Sequence, residues 1–163
     1  MAATGVMRIK AFGLAAAIFI ADQATKWFML SWLSAKPFGF VPVTPFFNLV
    51  LVYNQGVSFG LLQMQSASGR WLLIGLTLTI MAGLLVWIMR TSHRWDCLAL
   101  AAILGGAAGN CLDRFFHPGV VDFIDLYWKN WHWPAFNLAD IAICLGAIGI
   151  LIGNFCSTST DTH

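Results

Sequence analysis

Four apolar stretches, each of roughly membrane-crossing length, dominate this sequence. They cover residues 11–33, 71–89, 96–114 and 137–156, and a helix needs about 20 apolar residues to cross the hydrocarbon core of a bilayer. Only 10% of the residues are charged, whereas soluble domains carry about 25%. The sequence therefore predicts a single integral membrane domain, residues 1–163, with four transmembrane helices.

The positions of the basic residues predict the orientation of these helices. Arg8 and Lys10 precede the first stretch, and Arg90 and Arg94 lie in the short turn between the second and third. Since short cytoplasmic loops are enriched in Lys and Arg, we expect both termini in the cytoplasm. The two longer connections then face outward; they comprise residues 34–70 and 115–136.

The first outward connection contains signals for strands. Pro37, Pro42 and Pro45 rule out one continuous helix, and residues 46–53 are rich in β-branched and aromatic side chains that favour one or two strands. Residues 59–65 are compatible with a short surface helix. The second connection, which is rich in Trp, is expected to be a loop at the headgroup level. The predicted fold is an all-α membrane protein with a small outward-facing β-rich cradle and a short surface helix.

The acidic residues stand out against this apolar background. All seven are Asp, and a charge at the centre of a bilayer helix costs about 2.5–3.5 kcal/mol. The predicted topology places Asp113 in the last outer turn of the third helix, Asp122 in the following loop and Asp140 in the first outer turn of the fourth helix. These acids are therefore expected to meet near the outer surface. Other polar residues of the outer half are Asp22, Lys26, Asn110, Arg114 and Asn137.

Two neighbouring carboxylates suit hydrolysis, and Asp122 and Asp140 are the predicted pair. Held close together, two carboxyl groups share one proton because both cannot ionise comfortably. The ionised member takes a proton from a water that attacks a peptide carbonyl, and the protonated member donates to the leaving amine. The positive end of a helix dipole favours the ionised form of Asp140.

Structural roles are predicted for the remaining polar residues. Asp22 and Lys26 are four residues apart on one helix and are expected to form an ion pair. Asn137 is a predicted N-cap, and Asp125 is expected to be a solvated loop acid. A role in tying loops to helices is predicted for Asn110, Asp113 and Arg114.

Other classes of protein fit the sequence less well. Residues 56–60 match G-x-S-x-G around Ser58, but a serine hydrolase needs that motif between a strand and a helix of an α/β sheet. A zinc hydrolase of the H-E-x-x-H type is not indicated. A small transporter or channel subunit would also use intramembrane Asp and Lys, but the inner half of each span is nearly free of charge. The net charge of +2 gives no basis for nucleic-acid binding, and no metal or organic cofactor is expected.

Five short blocks of this sequence closely resemble the bacterial lipoprotein signal peptidases, also called signal peptidase II. They follow the order of that family and span nearly the whole chain. The blocks are DQATK at 22–26, YNQGVSF at 53–59, GNCLDR at 109–114, VDF at 121–123 and FNLAD at 136–140. Gln55 stands where Thr is common in the family, and Ser58 where Ala is usual.

This resemblance implies an aspartic endopeptidase of the bacterial inner (plasma) membrane, with its active site toward the periplasm. Such enzymes remove the signal peptide of diacylglyceryl-modified prolipoproteins by cutting before the lipidated cysteine. They contact membrane lipid, are inhibited by the cyclic peptide globomycin and use no cofactor; we expect a monomer. The family's catalytic aspartates correspond to Asp122 and Asp140. Residues implied to shape the site or hold substrate are Asn54, Gly56, Asn110, Arg114 and Asn137, with Asp22, Lys26 and Asp113 as further candidates.

Overall fold

The computed structural model describes residues 2–56 and 67–158, and a helix covers each of the four apolar stretches. The four helices are α1 (Ala2–Ser34), α2 (Ala67–Arg90), α3 (Arg94–Phe116) and α4 (Leu138–Thr158). Helix α1 begins before the apolar stretch and includes the basic residues Arg8 and Lys10. Arg8 Nη2 donates to the carbonyl oxygen of Met89 at the end of α2. The predicted surface helix at 59–65 and Ser58 lie outside the described residues.

Two of the described helices are long and apolar enough to cross a membrane. They are Ser68–Arg90 and Arg94–Phe116, while the apolar run of α4, Leu138–Gly153, is shorter. Large apolar side chains of α2 and α4 are exposed, which suits helices that face lipid. Examples are Leu72, Leu76, Ile80, Leu145, Ile148 and Leu151.

A four-stranded antiparallel sheet lies beside the helices, in the order β1-β2-β3-β4. Its strands are β1 (Phe40–Thr44), β2 (Phe47–Asn54), β3 (Val120–Trp128) and β4 (Trp131–His132). Strand β2 matches the strand predicted at 46–53.

The prediction that the second connection is a loop was wrong, and the sheet is therefore larger than a cradle built from the first connection alone. Strand β3 occupies nine residues of that connection, and its β-branched and aromatic residues are those that strands favour. Asp122 and Asp125 obscured this pattern because acids are uncommon in strands, yet both are buried here.

Helix α3 packs closely against both α1 and α4 through glycines. A Cβ at Gly105 would lie 2.5 Å from the carbonyl oxygen of Ala15 on α1, and one at Gly106 would lie 2.5 Å from that of Ala139 on α4. Small residues allow helix backbones to approach in this way. The glycines of α3 therefore serve packing within the chain. An apolar core between α1, α2 and α3 completes the bundle; it consists of Ala11, Ala15, Leu84, Ile88, Cys97, Leu100, Ala101 and Leu104.

The start of α4 is fastened to strand β3. The backbone N–H groups of Phe123 and Ile124 both donate to the carbonyl oxygen of Phe136, and the N–H of Phe136 donates back to Ile124. Next to this point, strand β2 carries a one-residue bulge between Leu49 and Val52, where its pairing with β3 shifts register. These features bring the residue after Phe136, Asn137, next to Asp122.

Candidate active site

Asp122 is buried in the strand β3, with 1% of its surface exposed. Its Oδ1 accepts a hydrogen bond of 2.6 Å from Nδ2 of Asn137, and its Oδ2 has no hydrogen-bond partner among residues 2–56 and 67–158. Burial raises the pKa of Asp122 to about 6, and nearby Asp140 acts in the same direction, while the amides of Asn54 and Asn137 oppose the rise. A carboxyl group in this setting can hold a proton near neutral pH.

Asp140 lies in the first turn of α4, where it forms a reciprocal cap with Asn137. The Asp140 N–H donates to Oδ1 of Asn137 at 3.0 Å, and the Asn137 N–H donates to Oδ2 of Asp140 at 3.1 Å. This arrangement satisfies two N–H groups that a helix start leaves unpaired. Asn137 is thus the N-cap that the sequence predicts.

Asn137 and Asn110 connect the two aspartates. Besides Asp122, Asn137 Nδ2 reaches Oδ1 of Asn110 at 3.1 Å, and Asn110 Nδ2 donates to Oδ1 of Asp140 at 2.8 Å. Asp122 from the sheet and Asp140 from α4 are therefore held by the same residue, Asn137. The structure brings together the two carboxyl groups that the sequence singled out.

Lys26 is the centre of a buried ionic cluster beside this pair. Its Nζ lies 2.8 Å from Oδ2 of Asp22, from Oδ2 of Asp113 and from Oδ1 of Asn110. An ammonium group has three N–H donors, and these three oxygens supply one acceptor for each donor of Lys26. The predicted Asp22–Lys26 ion pair is present, and Asp113 joins it although the sequence did not pair these two residues.

The two acids of this cluster also join separate elements of the fold. Asp22 Oδ1 accepts from the backbone N–H of Ala139 at the start of α4, at 3.0 Å. Asp113 Oδ2 accepts from the N–H of Val121 on β3 at 3.0 Å. Gln23, which the sequence analysis did not select, donates to Asp113 Oδ1 at 3.0 Å. Asp113 thus ties β3 to the helices, as predicted.

Arg114 and Asn54 also lie near the pair. Arg114 Nη1 donates to the carbonyl oxygen of Asn110 at 3.0 Å, and its buried Nε finds no partner within the described part of the chain. Asn54 Oδ1 accepts from the N–H of Gly56 at 2.9 Å, so its amide nitrogen remains available to Asp122. Gly56 has φ +78°, a left-handed conformation that glycine adopts without strain.

Asp125 is not a solvated loop acid, and that prediction was wrong. It is 6% exposed, accepts from Nδ2 of Asn48 on β2 at 2.8 Å and lies 2.9 Å from Nδ1 of His132 on β4. Its role is to hold three strands together. The β-branched and aromatic residues on both sides of Asp125 in the sequence were a sign that this acid lies in a strand.

Metal ligands are not grouped in the described segments. No three or more His, Cys, Asp or Glu side chains there are arranged to hold a metal ion. The chemistry that the arrangement supports is that of two carboxyl groups surrounded by amides and two cations.

The fold and this cluster define a helical membrane protein with a polar site where the helices meet a small sheet. The chain belongs to the signal peptidase II family of peptidases, because the family profile "Signal peptidase (SPase) II" matches residues 14–156. It is 45% identical over 146 residues to the lipoprotein signal peptidase of Aeromonas hydrophila, covering 87% of this chain and 86% of the relative. It is 42% identical over 144 residues to that of Vibrio parahaemolyticus, covering 87% and 85%.

Two solved structures, each described as a bacterial membrane enzyme, have a similar fold. One, at 2.3 Å resolution, has a TM-score of 0.79 and 27% identity and covers 94% of this chain and 92% of its own. The other, at 1.9 Å, has a TM-score of 0.75 and 28% identity and covers 88% and 91%.

Proposed function

We propose that this protein is an aspartic endopeptidase that removes signal peptides from diacylglyceryl-modified prolipoproteins, cutting before the lipidated cysteine. Membership of the signal peptidase II family supports the reaction class. The observation that carries the mechanism is the attachment of both Asp122 and Asp140 to Asn137. Two carboxyl groups held in this way can divide one proton between them.

The pair performs peptide hydrolysis with water as the nucleophile. The ionised carboxylate takes a proton from the water as its oxygen attacks the scissile carbonyl carbon, and a tetrahedral intermediate forms. The protonated carboxyl group then donates to the leaving amine as the peptide bond breaks. Burial of the site strengthens these interactions because it excludes bulk water.

The position of the pair suits a substrate that is anchored in the membrane. We propose that all four helices cross the inner membrane, with both termini in the cytoplasm and the sheet on the periplasmic side. Asp140 is in the first turn of α4, so its carboxyl group lies within about 5 Å of the helix end. A cysteine that carries diacylglycerol holds its preceding peptide bond at the same depth.

The polar residues around the pair are proposed to shape the substrate site. Asn54 and Gly56 form a turn at the end of β2, and Arg114 contributes a guanidinium group from the end of α3. A globomycin-type cyclic peptide would occupy this space in place of substrate. The enzyme is proposed to act as a monomer without a cofactor.

The test is cleavage of a diacylglyceryl-modified prolipoprotein by membranes that carry Asp122→Asn or Asp140→Asn at matched protein levels. Asn preserves the shape of the side chain and removes the shared proton, so both variants should accumulate precursor. Asp125→Asn is the matched control, since Asp125 is a buried acid on the same strand bonded to Asn48 and His132 instead. Cleavage near the wild-type rate by either active-site variant would disprove the two-aspartate mechanism.

A further inference from the structure

We infer that Lys26 is a positioning residue which, by fixing the side-chain amide of Asn110, places the shared proton on Asp122 and leaves Asp140 as the ionised base. This inference rests on the proposed function, since it assigns roles within the proposed aspartate pair. Lys26 is a buried residue of α1 that forms no hydrogen bond with Asp122 or Asp140, and the inference assigns it a role in positioning.

The first step concerns the orientation of the Asn110 amide. An ammonium group donates and never accepts, so the atom of Asn110 that lies 2.8 Å from Lys26 Nζ has to be the carbonyl oxygen. Asn137 Nδ2 donates to that same oxygen. The amide nitrogen of Asn110 therefore faces Asp140. If the amide were reversed, its N–H donors would face the ammonium group of Lys26 and its oxygen would face the carboxylate of Asp140.

The second step concerns the charge on Asp140. Its Oδ1 accepts from Asn110 Nδ2 at 2.8 Å, and its Oδ2 accepts from the backbone N–H of Asn137 at 3.1 Å. At the start of α4, both oxygens of Asp140 are therefore held by N–H donors. Each oxygen keeps a second lone pair, with which the carboxylate can accept a proton from water.

The third step concerns Asp122, whose surroundings are the opposite. One oxygen accepts from Asn137, and the other has no partner in the described segments although the side chain is buried. The nearby Asn54 amide lowers the pKa of Asp122, but burial raises it by more. An O–H on that second oxygen is therefore free to donate to substrate. Burial and the neighbouring charge of Asp140 raise the pKa of Asp122 to about 6, so Asp122 holds a proton more readily than an exposed aspartate does.

Several other charged groups face the pair from the elements packed around it. Helix α1 contributes Asp22 and Lys26, and helix α3 contributes Asp113 and Arg114. The charge of Lys26 is compensated by Asp22 and Asp113 at 2.8 Å each. We therefore attribute its effect on Asp140 to the orientation of Asn110, and not to direct attraction.

The deciding experiment is the pH dependence of kcat/KM in the variant Asn110→Asp. One oxygen of the new carboxylate still accepts from Lys26, so the other replaces the N–H donor that faces Asp140. The low-pH limb, where the base gains a proton, should move upward by about one pH unit or more, and the high-pH limb should move less. Movement confined to the high-pH limb would assign Asp140 as the acid and overturn the inference, as would two unmoved limbs with a lower kcat.

A second variant gives the same readout without an added carboxyl group. Lys26→Met combined with Asp22→Asn removes the cation and one of its acids, so the summed charge of Lys26, Asp22 and Asp113 stays at −1. The low-pH limb should again move upward, with a larger change in kcat than in KM. Asp22→Asn alone keeps the Lys26–Asn110 hydrogen bond and is the reference for the double variant; equal profiles for the single and double variants would contradict the inference.

The two levels of proposal fail differently. Activity in Asp122→Asn or Asp140→Asn would disprove the aspartate pair altogether. Inactivity of both, combined with an unmoved low-pH limb in Asn110→Asp, would disprove the role of Lys26 alone. Thermal melting in detergent confirms that each variant is folded before its profile is compared.

Discussion

Asn137 Nδ2 lies 2.6 Å from Oδ1 of Asp122, while the backbone of the same residue is capped by Asp140. One side chain thus holds a carboxyl group from the sheet, and one backbone N–H holds a carboxyl group from a helix. The distance between the carboxyl groups of Asp122 and Asp140 therefore depends on the position of Asn137, and not on a direct contact between the two acids.

Removing this side chain should therefore damage both stability and activity. Asn137→Ala loses the helix cap, which costs about 1 kcal/mol, and leaves Asp122 without its amide donor. Misplacement of a catalytic group by about 1 Å reduces rates by about 100-fold, so kcat/KM for lipidated prolipoprotein should fall by that order. Asn48→Ala removes an equally buried amide that contacts Asp125 and serves as the control. A loss of activity that is equal in the two variants would show that Asn137 has only a structural role.

Asp122 should lower the stability of the folded protein at neutral pH. Its pKa is raised from 3.8 to about 6 in the fold, so the folded state binds more protons than the unfolded state between these values. Stability therefore falls as the pH rises from about 4 through 6. Asp122→Asn removes this titration and should be more stable than the wild type by about 2–3 kcal/mol above pH 7, while it loses activity.

The measurement is thermal melting in detergent at pH 4.5 and pH 7.5. The advantage of Asp122→Asn should be small at the lower pH and larger at the higher one. An advantage that is the same at both pH values would mean that the titration of Asp122 is not its cause.

The contact between α1 and α3 should be intolerant of one additional methyl group at Gly109. A Cβ there would overlap with Oδ2 of Asp22, the oxygen that binds Lys26. Overpacking of this kind costs about 1–3 kcal/mol, so Gly109→Ala should melt at a lower temperature. Gly83→Ala on α2, where a Cβ meets nothing within 4 Å, is the matched control and should be neutral or slightly stabilising. Similar melting temperatures for both variants would contradict this account of the packing.

The turn after β2 should affect catalysis through Asn54. Gly56 has φ +78° and its N–H holds Oδ1 of Asn54, while an added Cβ would lie 2.9 Å from Cδ1 of Leu73. Gly56→Ala should shift Asn54 and lower kcat/KM by about 10–100-fold. Gly75→Ala, in open space on α2, should keep the wild-type rate. An unchanged kcat/KM in Gly56→Ala would show that Asn54 is not held by this turn.

The helices and much of the candidate site could be predicted from the sequence because the signals are local. Apolar length located all four helices, and spacing along one helix identified the Asp22–Lys26 pair. The position of Asn137 just before an apolar stretch was enough to indicate a cap. In each case the residues that interact are within four positions of one another.

The rest depends on contacts that no local pattern contains. Asn48 and Asp125 are 77 residues apart, and Lys26 reaches Asn110 across 84. Strand β3 was missed because its two acids resemble loop residues until their partners on other elements are known. In the fold these acids find hydrogen-bond partners, and these bonds offset the free-energy cost of burying carboxyl groups that would otherwise stay in water.

The hydrogen bond from the Ala139 N–H to Asp22 spans 117 residues, and this distance has a consequence for biosynthesis. When α1 leaves the ribosome, neither Asp113 nor the start of α4 has been made, so the only member of the buried ionic cluster that can neutralise Asp22 is Lys26. The nascent protein has to carry this incomplete cluster until its last helix is translated. A chain interrupted before α4 would lack the Ala139 N–H and would keep Asp22 with Lys26 as its partner on the same helix.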